Sequence, residues 1–390
     1  MPSWQAGRGG SLSVASPVLE RASRGRWLAL FTLAAANLAL IGAVAGGFTA
    51  LADIIAPLTG HLIGIGLTAS LALLMRRWVP AILAAGVVAT AALHVWLGLA
   101  WCCAAPQATT QTALSRLALH TSSEHGLTVL ALNTWHVHGD ARRLERYLAT
   151  GPADVIVLSE IGPDKRSVLP RLKAAYPFQV DCADQWPCSL ALLSRLPLEA
   201  AGVGRIAAEG REARASDMPA FVWAKLAGSL TVIGTHLHRP SRDPWLHARQ
   251  VSALTQLVRN IDGPLVLAGD LNTSPWSNAF RKLRAATGLA PASMLMPTWP
   301  AWPLALPQVA LDHILVSPEL AVGAAGTGPA VGSDHLPVWA QIEWRPDTLE
   351  RGQAPRRRLT SRLAAARPHL GGELPADLGG EHVGAGHLRR

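Results

Sequence analysis

No Asp, Glu, Lys or Arg occurs from Trp27 to Ala52, from Ile54 to Met75, or from Trp78 to Ala105. Those three gaps exclude an ordinary solvated surface for this part of the chain. Each is long enough to cross a bilayer core as a helix, which takes roughly 20 apolar residues. The first run is too long for the apolar core of a cleaved signal peptide. Three membrane helices over 27–105 are therefore expected, and Pro57 and Pro80 do not exclude them, because membrane helices tolerate proline. Arg8, Arg21, Arg24 and Arg26 precede the first run, Arg76 and Arg77 separate the second from the third, and only Asp53 separates the first from the second. The positive-inside rule then keeps 1–26 in the cytoplasm and delivers everything after Ala105 to the outside. The expected location is the cell membrane, multi-pass, with the rest of the chain forming an extracytoplasmic domain.

Cysteine is scarce as well. Of four, Cys102 and Cys103 end the third run, and Cys182 and Cys188 bracket the polar stretch "CADQWPC". Outside the cytoplasm the latter pair can close a small disulfide loop; the competing reading is two unpaired small apolar side chains. No His or Cys pair has structural-zinc spacing, and no internal repeat is present. A basic excess is missing where a non-specific nuclease would carry one. Residues 121–344 hold 19 Lys and Arg against 19 Asp and Glu, so the net charge of +9 belongs to the two ends of the chain.

What is present after residue 105 is an alternation. A polar linker over 106–126 leads into short apolar runs: "LTVLALNTW" (127–135), "DVIVLSEI" (154–161), "SLALLSRLPL" (189–198), "FVWAKLA" (221–227), "LTVIGTHLH" (230–238), "LVLAGDLN" (265–272), "DHILVS" (312–317) and "PVWAQIEW" (337–344). These read as strands. Amphipathic helices are expected over 142–150, 165–176, 245–261 and 277–288. The order indicates an α/β domain with mixed sheets over 127–344. From Arg345 to 390 the chain is rich in Arg, Gly, Pro and Ala, a composition that cannot bury a core and predicts a disordered basic tail.

Several of these strands end in polar residues with no packing role. Asn133 closes the first and Glu160 the second. "GTHLH" supplies His236 and His238. "GDLN" supplies Asp270 and Asn272, which share a face at i and i+2, although a strand followed by an Asx turn would use the same residues. Asp312 opens "DHILVS", and Asp334 and His335 precede the last strand. Strand ends on one edge of a sheet are where α/β proteins build sites. Acidic oxygens and an amide suit a hard cation such as Mg²⁺, with Mn²⁺ the alternative, and Glu160 is the natural first ligand. Such a metal neutralises charge developing on phosphorus oxygens. A His held by a carboxylate, as His335 by Asp312, can position or remove a proton near neutral pH. Asp270 could hold an attacking water, while Asn272 and His236 donate to the phosphate.

The ordered set LNTW, LSE, GTHLH, GDLN, LDHILVS and GSDHLPV resembles the endonuclease/exonuclease/phosphatase superfamily, which includes DNase I-like nucleases, sphingomyelinases and inositol-polyphosphate phosphatases. The resemblance covers roughly 127–344 and implies a four-layer sandwich, two mixed β-sheets flanked by helices. It also implies Mg²⁺-dependent cleavage of a phosphodiester, phosphomonoester or pyrophosphate. By position it places Asn133, Glu160 and Asp334 at the metal, His236, Asp270 and Asn272 at the phosphate and water, and Asp312 with His335 as an Asp–His pair. His335 is left with two roles, general base or phosphate donor. The whole chain is also similar to bacterial members with three N-terminal membrane helices and an external catalytic domain, some taken to act on lipid-linked phosphates.

Two departures count against DNA repair. The stretch from Thr273 to Ala310 is too short for DNA-gripping insertions, and "GTHLH" lacks the Tyr of many abasic-site endonucleases at the His236 position. The expected partners are therefore the bilayer and a phosphate-bearing, lipid-linked substrate, with nucleic acid less favoured. An extracytoplasmic nuclease and a non-catalytic, membrane-tethered binding module are the alternatives. Four further residues divide between function and packing. His238 reads as a second phosphate contact or a solvated side chain, His94 as a functional group or a neutral helix-interface residue, and Trp299 and Trp302 as interfacial anchors or loop packing.

Overall fold

The computed structural model describes residues 25–38 apart from 26, 50–75, five positions between 85 and 92, and 126–344 apart from 137, 185–187, 207–217, 294–295 and 305–307. The expected cytoplasmic segment, most of the third apolar run with His94, Cys102 and Cys103, the linker and the basic tail lie outside the described residues. Among those described, one helix, Ala52–Ala72, is long and apolar enough to cross a membrane; Trp27–Leu38, in the first run, is shorter. Of the three expected spans, one candidate is therefore found. It begins with Ala52–Ile55, passes through a 3-10 turn at Ala56–Leu58 and continues as α1 (Thr59–Met75). Leu33, Ala69 and Val88, one from each apolar run, form a small buried cluster.

Twelve strands follow: β1 (Gly126–Asn133), β2 (Val155–Ser159), β3 (Phe178–Asp181), β4 (Ala191–Ser194), β5 (Leu198–Arg205), β6 (Ala220–Leu226), β7 (Thr231–His236), β8 (Leu265–Asp270), β9 (Ala290–Pro291), β10 (Asp312–Val316), β11 (Leu320–Thr327) and β12 (Val338–Trp344). They make two six-stranded sheets, ordered β11-β12-β1-β2-β4-β3 and β5-β6-β7-β8-β10-β9. Only β1–β2 and β7–β8 pair in parallel, so both sheets are mixed as expected. Continuous apolar runs such as "VIVL" are buried on both faces because each sheet is covered on both sides. One face of each sheet meets the other sheet through Val129, Val157, Val232, Val266 and Ala340. The outer faces carry helices. Phe280, Leu254 and Ile233 pack outside the second sheet, and Leu144, Leu148 and Ile156 outside the first. Four layers result. The sheets approach closely at Gly234, where an added Cβ would lie 2.6 Å from a Val157 methyl.

Four helices lie outside the sheets: α2 (Ala141–Ala149), α3 (Val168–Arg171), α4 (Pro244–Arg259) and α5 (Asn278–Thr287). Three start on side-chain caps that satisfy otherwise open N–H groups. Asp140 accepts from Arg142 and Arg143, Asp243 from Trp245 and Leu246, and Ser277 from Phe280. The helix expected over 165–176 is cut to one α turn and a 3-10 turn at Leu172–Ala174, with Pro170 inside it lacking an N–H to donate. The strand expected over 189–198 is realised only as β4, and β5, which begins at Leu198, was not expected. β4 ends at Ser194, whose hydroxyl closes a turn on Leu196, and after Pro197 the chain crosses to the second sheet as β5. β3 and β11 had no clear signal, since "FQVD" is short and "LAVGAAGT" is mostly small residues. Cys182 and Cys188 are joined as a disulfide, with Cα atoms 5.8 Å apart.

Gly269 has φ +138°, and a Cβ there would lie 2.0 Å from the Thr235 carbonyl oxygen. Gly269→Ala should therefore lower the stability of the catalytic domain by more than the ~1–3 kcal/mol that such a backbone conformation costs alone. Chemical denaturation of the variant beside the parent protein measures this, and an unchanged midpoint would contradict it.

Candidate active site

The topology decides which residues meet. β1, β2, β7 and β8 run so that their C-terminal ends reach one edge of the sandwich. β10 is antiparallel to β8, with Asp312 opposite Asp270, and β12 is antiparallel to β1. The starts of β10 and β12 therefore reach that same edge. All eight expected site residues are brought together there, although they come from six different segments.

Asp270 is at the centre and fully buried. Its Oδ2 accepts from Asn133 Nδ2 at 2.9 Å and lies 3.3 Å from Asn272 Nδ2, 3.6 Å from His236 Nε2 and 4.0 Å from His335 Nε2. Its Oδ1 accepts from the Asn272 backbone N–H at 2.8 Å. Burial and the neighbouring Asp312 charge push its pKa up, against the pull of His335, His236 and Asn133. His335 is also buried. Its Nδ1 donates to Asp312 Oδ2 at 2.7 Å. Burial opposes the imidazolium, but Asp312, Asp270 and Asp334 outweigh it and raise the His335 pKa to about 9.

Glu160 and Asp334 form the second half of the site. Glu160 Oε2 accepts from the His136 N–H at 3.2 Å, and Oε1 lies 3.4 Å from Arg239 Nη2 and 3.6 Å from His236 Nε2. Burial would raise its pKa, yet His236, the His136 N–H, Asn133 and Arg239 together hold it down at about 2. Burial raises Asp334, relieved in part by His335, and the Glu160 charge adds to the rise. Asp334 Oδ2 accepts from the Trp299 indole at 3.3 Å. Its other oxygen is buried and has no partner among the described residues.

Two donor sets could hold a cation. Asp270, Asp312 and His335 have ligand atoms within 4.8 Å of one another, a grouping that differs from the expected Asn133, Glu160 and Asp334. In the first set Asp312 Oδ2 is bonded to His335 Nδ1, and Asp312 Oδ1 is buried with no partner among the described residues. In the second, one Asp334 oxygen is buried without a partner and feels the Glu160 charge. A hard divalent cation fits those oxygens.

The site is also held by residues that carried no sequence signal. Asn272 has φ +48° and Glu160 φ +54°, sparsely populated conformations that need support. Two buried histidines supply it around Asn272, His247 Nε2 donating to the Leu271 carbonyl at 3.2 Å and His313 Nε2 to the Thr273 carbonyl at 2.7 Å. Lys165, 1% exposed, donates to the Trp135 and His136 carbonyls at 2.8 and 2.9 Å, fixing the turn that presents the His136 N–H to Glu160. Ser333 ties the two sheet-edge segments, donating to the Asn133 carbonyl at 2.6 Å and accepting from the His335 N–H. Arg239 was the one addition open to notice, a cation three residues after His236. Of the residues with two readings, His238 reaches the rim, its N–H bonded to Gln250 and its imidazole pushed down in pKa by burial. Trp302 packs tilted against Trp135, with ring centres 5.4 Å apart and planes at 49°.

Fold and site together define a DNase I-like sandwich, the class of the phosphoesterase hydrolases. The chain belongs to the endonuclease/exonuclease/phosphatase family, whose model matches residues 130–335. Among solved structures it is similar to an endonuclease/exonuclease/phosphatase from Beutenbergia cavernae DSM 12333, at 21% identity and TM-score 0.44 over 56% of this chain and 72% of that one. It is similar to the human nocturnin catalytic domain with bound sulfate, at 19% identity and TM-score 0.44 over 56% and 95%. A sphingomyelinase C from Streptomyces griseocarneus matches at 21% identity and TM-score 0.39 over 55% and 99%. No curated protein matches the sequence.

The raised His335 pKa has a consequence for stability. Its ordinary value is 6.5, so the stabilisation is complete below pH 6.5 and is lost as pH climbs towards about 9. In cation-free protein, denaturation midpoints should fall over that window. Asp312→Asn should flatten the fall, because it removes the charge that holds the proton. An equal slope in both proteins would contradict the pairing.

Proposed function

We propose that the chain is a divalent-cation-dependent phosphoesterase, anchored in a membrane by its apolar helices and acting on a phosphate or pyrophosphate ester carried by a lipid. The observation that carries the chemistry is the convergence of Asn133, Glu160, His236, Asp270, Asn272, Asp312, Asp334 and His335 on one sheet edge around a buried carboxylate. Glu160 and Asp334, with Asn133 behind them, would hold Mg²⁺ or Mn²⁺. A cation bound there neutralises charge on the phosphate oxygens.

The chain's own groups divide the remaining work. His335, protonated at neutral pH, serves as a donor to the phosphate rather than as a base. At 4.0 Å, His335 Nε2 and Asp270 Oδ2 are too far apart to bond each other, so both can act on atoms placed between them. Asp270, with a raised pKa, accepts the proton of the attacking water as its oxygen bonds to phosphorus. The P–O ester bond breaks with its electron pair going to the leaving oxygen, which is reprotonated from solvent. Asn272 and His236 line the same space and donate to the phosphate oxygens. Arg239 adds a fixed positive charge at the rim.

The membrane anchor is supported by the Ala52–Ala72 helix. It leaves Leu58, Leu67 and Leu71 exposed, and its Ala69 packs against Leu33 and Val88 of the neighbouring runs. A tether raises the effective concentration of the site towards anything in the same plane. That favours a lipid-borne substrate over dissolved nucleic acid.

His335→Ala and Asp270→Ala should each lower turnover by about a hundred- to ten-thousand-fold, the range of a lost proton-handling group. Circular dichroism of each variant should stay native. Near-normal activity in His335→Ala would show that the centre is elsewhere. EDTA should abolish activity and Mg²⁺ restore it, with Glu160→Gln needing more Mg²⁺ for half-restoration. A panel of polyprenyl diphosphate, phospholipid, sphingomyelin, nucleotides and plasmid DNA then tests the substrate by kcat/KM. A preference for DNA would replace the lipid reading by an extracytoplasmic nuclease, and no turnover of any member would favour a binding module.

A further inference from the structure

The apolar helix and the catalytic domain touch at three adjoining points. Asp53 is the one charged residue between Trp27 and Met75, and it is 4% exposed. The Asn278 N–H donates to its Oδ1 at 2.6 Å and the Ala279 N–H to its Oδ2 at 3.0 Å. Ser277 already takes the Phe280 N–H, so Asp53 satisfies first-turn donors of α5 that Ser277 leaves open, and its charge faces the positive end of the helix dipole. Gly60 lies against the Trp276 ring, and His61 Nε2 lies 2.6 Å from Gln308 Oε1. A lipid-facing helix has no use for a buried carboxylate, which is costly unless it is hydrogen-bonded.

Both anchor points belong to elements that carry the site. Asn278 follows Asn272 by six residues, along "NTSPWSN". Gln308 pairs back on Trp299, and the Trp299 indole holds Asp334. The helix start is thus fastened to the segment after Asn272 on one side and to the segment beside Asp334 on the other.

We propose that Asp53 and His61 are positioning residues. They lock the start of the membrane helix to the two segments flanking the site and hold the catalytic edge at a set height above the bilayer. The substrate this selects is a phosphate ester whose apolar part stays in the bilayer that holds the helix. The inference rests on the phosphoesterase reading above for its substrate, and on the geometry alone for the lock.

The test uses full-length protein in phosphatidylcholine vesicles. One substrate is a long-chain polyprenyl diphosphate placed in the same vesicles, and the other is a water-soluble short-chain diphosphate; both report by phosphate release. Asp53→Ala should lower kcat/KM on the vesicle-borne substrate at least tenfold and leave the soluble one within twofold. His61→Ala should do the same to a smaller degree. Asp53→Asn, which keeps one acceptor, should lie between. Amide hydrogen exchange at Asn278 and Ala279 should quicken in Asp53→Ala. Equal losses on both substrates, or no loss on either, would overturn the positioning role. If the parent protein hydrolyses neither diphosphate, the substrate class is overturned and exchange decides the lock. Quickened exchange then sustains it, and unchanged exchange refutes it.

Discussion

Everything at the catalytic edge depends on two carboxylates buried opposite each other. β8 and β10 pair with Asp270 facing Asp312, and neither side chain reaches solvent. Two buried like charges are tolerable only with compensation. The compensation is the site. Asp312 accepts from His335 Nδ1, and Asp270 accepts from the side-chain amides of Asn133 and Asn272. Removing one member would leave an uncompensated buried charge, so these side chains form a single electrostatic unit. The same unit is what a phosphate would meet, a set of donors already aimed and already dry, which is how preorganised electrostatics acts.

The burial that makes the unit strong is supplied by the sandwich. Gly234 lets the sheets approach, and Gly269 lets β8 pass Thr235 just before Asp270. His247, His313 and Lys165 then hold the loop carbonyls around Asn272 and Glu160. These are packed, hydrogen-bonded side chains, and they account for how residues with positive φ persist at Glu160 and Asn272. Asp53 extends the same logic across the boundary with the apolar helix, where a buried carboxylate closes the first turn of α5.

Much of this was legible in the chain. Apolar runs ending in Asn133, Glu160, His236, Asp270 and Asn272 read as strands with functional ends because strand residues are forced into alternation and a polar pair at i and i+2 shares one face. The pairing of Cys182 with Cys188 was one of two readings open to the sequence, and the fold brings the two together. The mixed sheets followed from the alternation of strand and helix patterns. Less legible were strands built largely of small residues, such as β5 and β11, whose partners and not their side chains make them strands.

The sequence by itself determined the residue types at the centre and the period of the elements that present them, since both are local properties of the chain. Only the tertiary structure decided that Asp312 lies across from Asp270, that His335 bonds Asp312, and that Arg239 reaches Glu160. Only it joined Asp53 to α5, 225 residues away in sequence. Those facts depend on strand register, burial and the sum of neighbouring charges. Each arises between segments distant in sequence, where no local pattern records it.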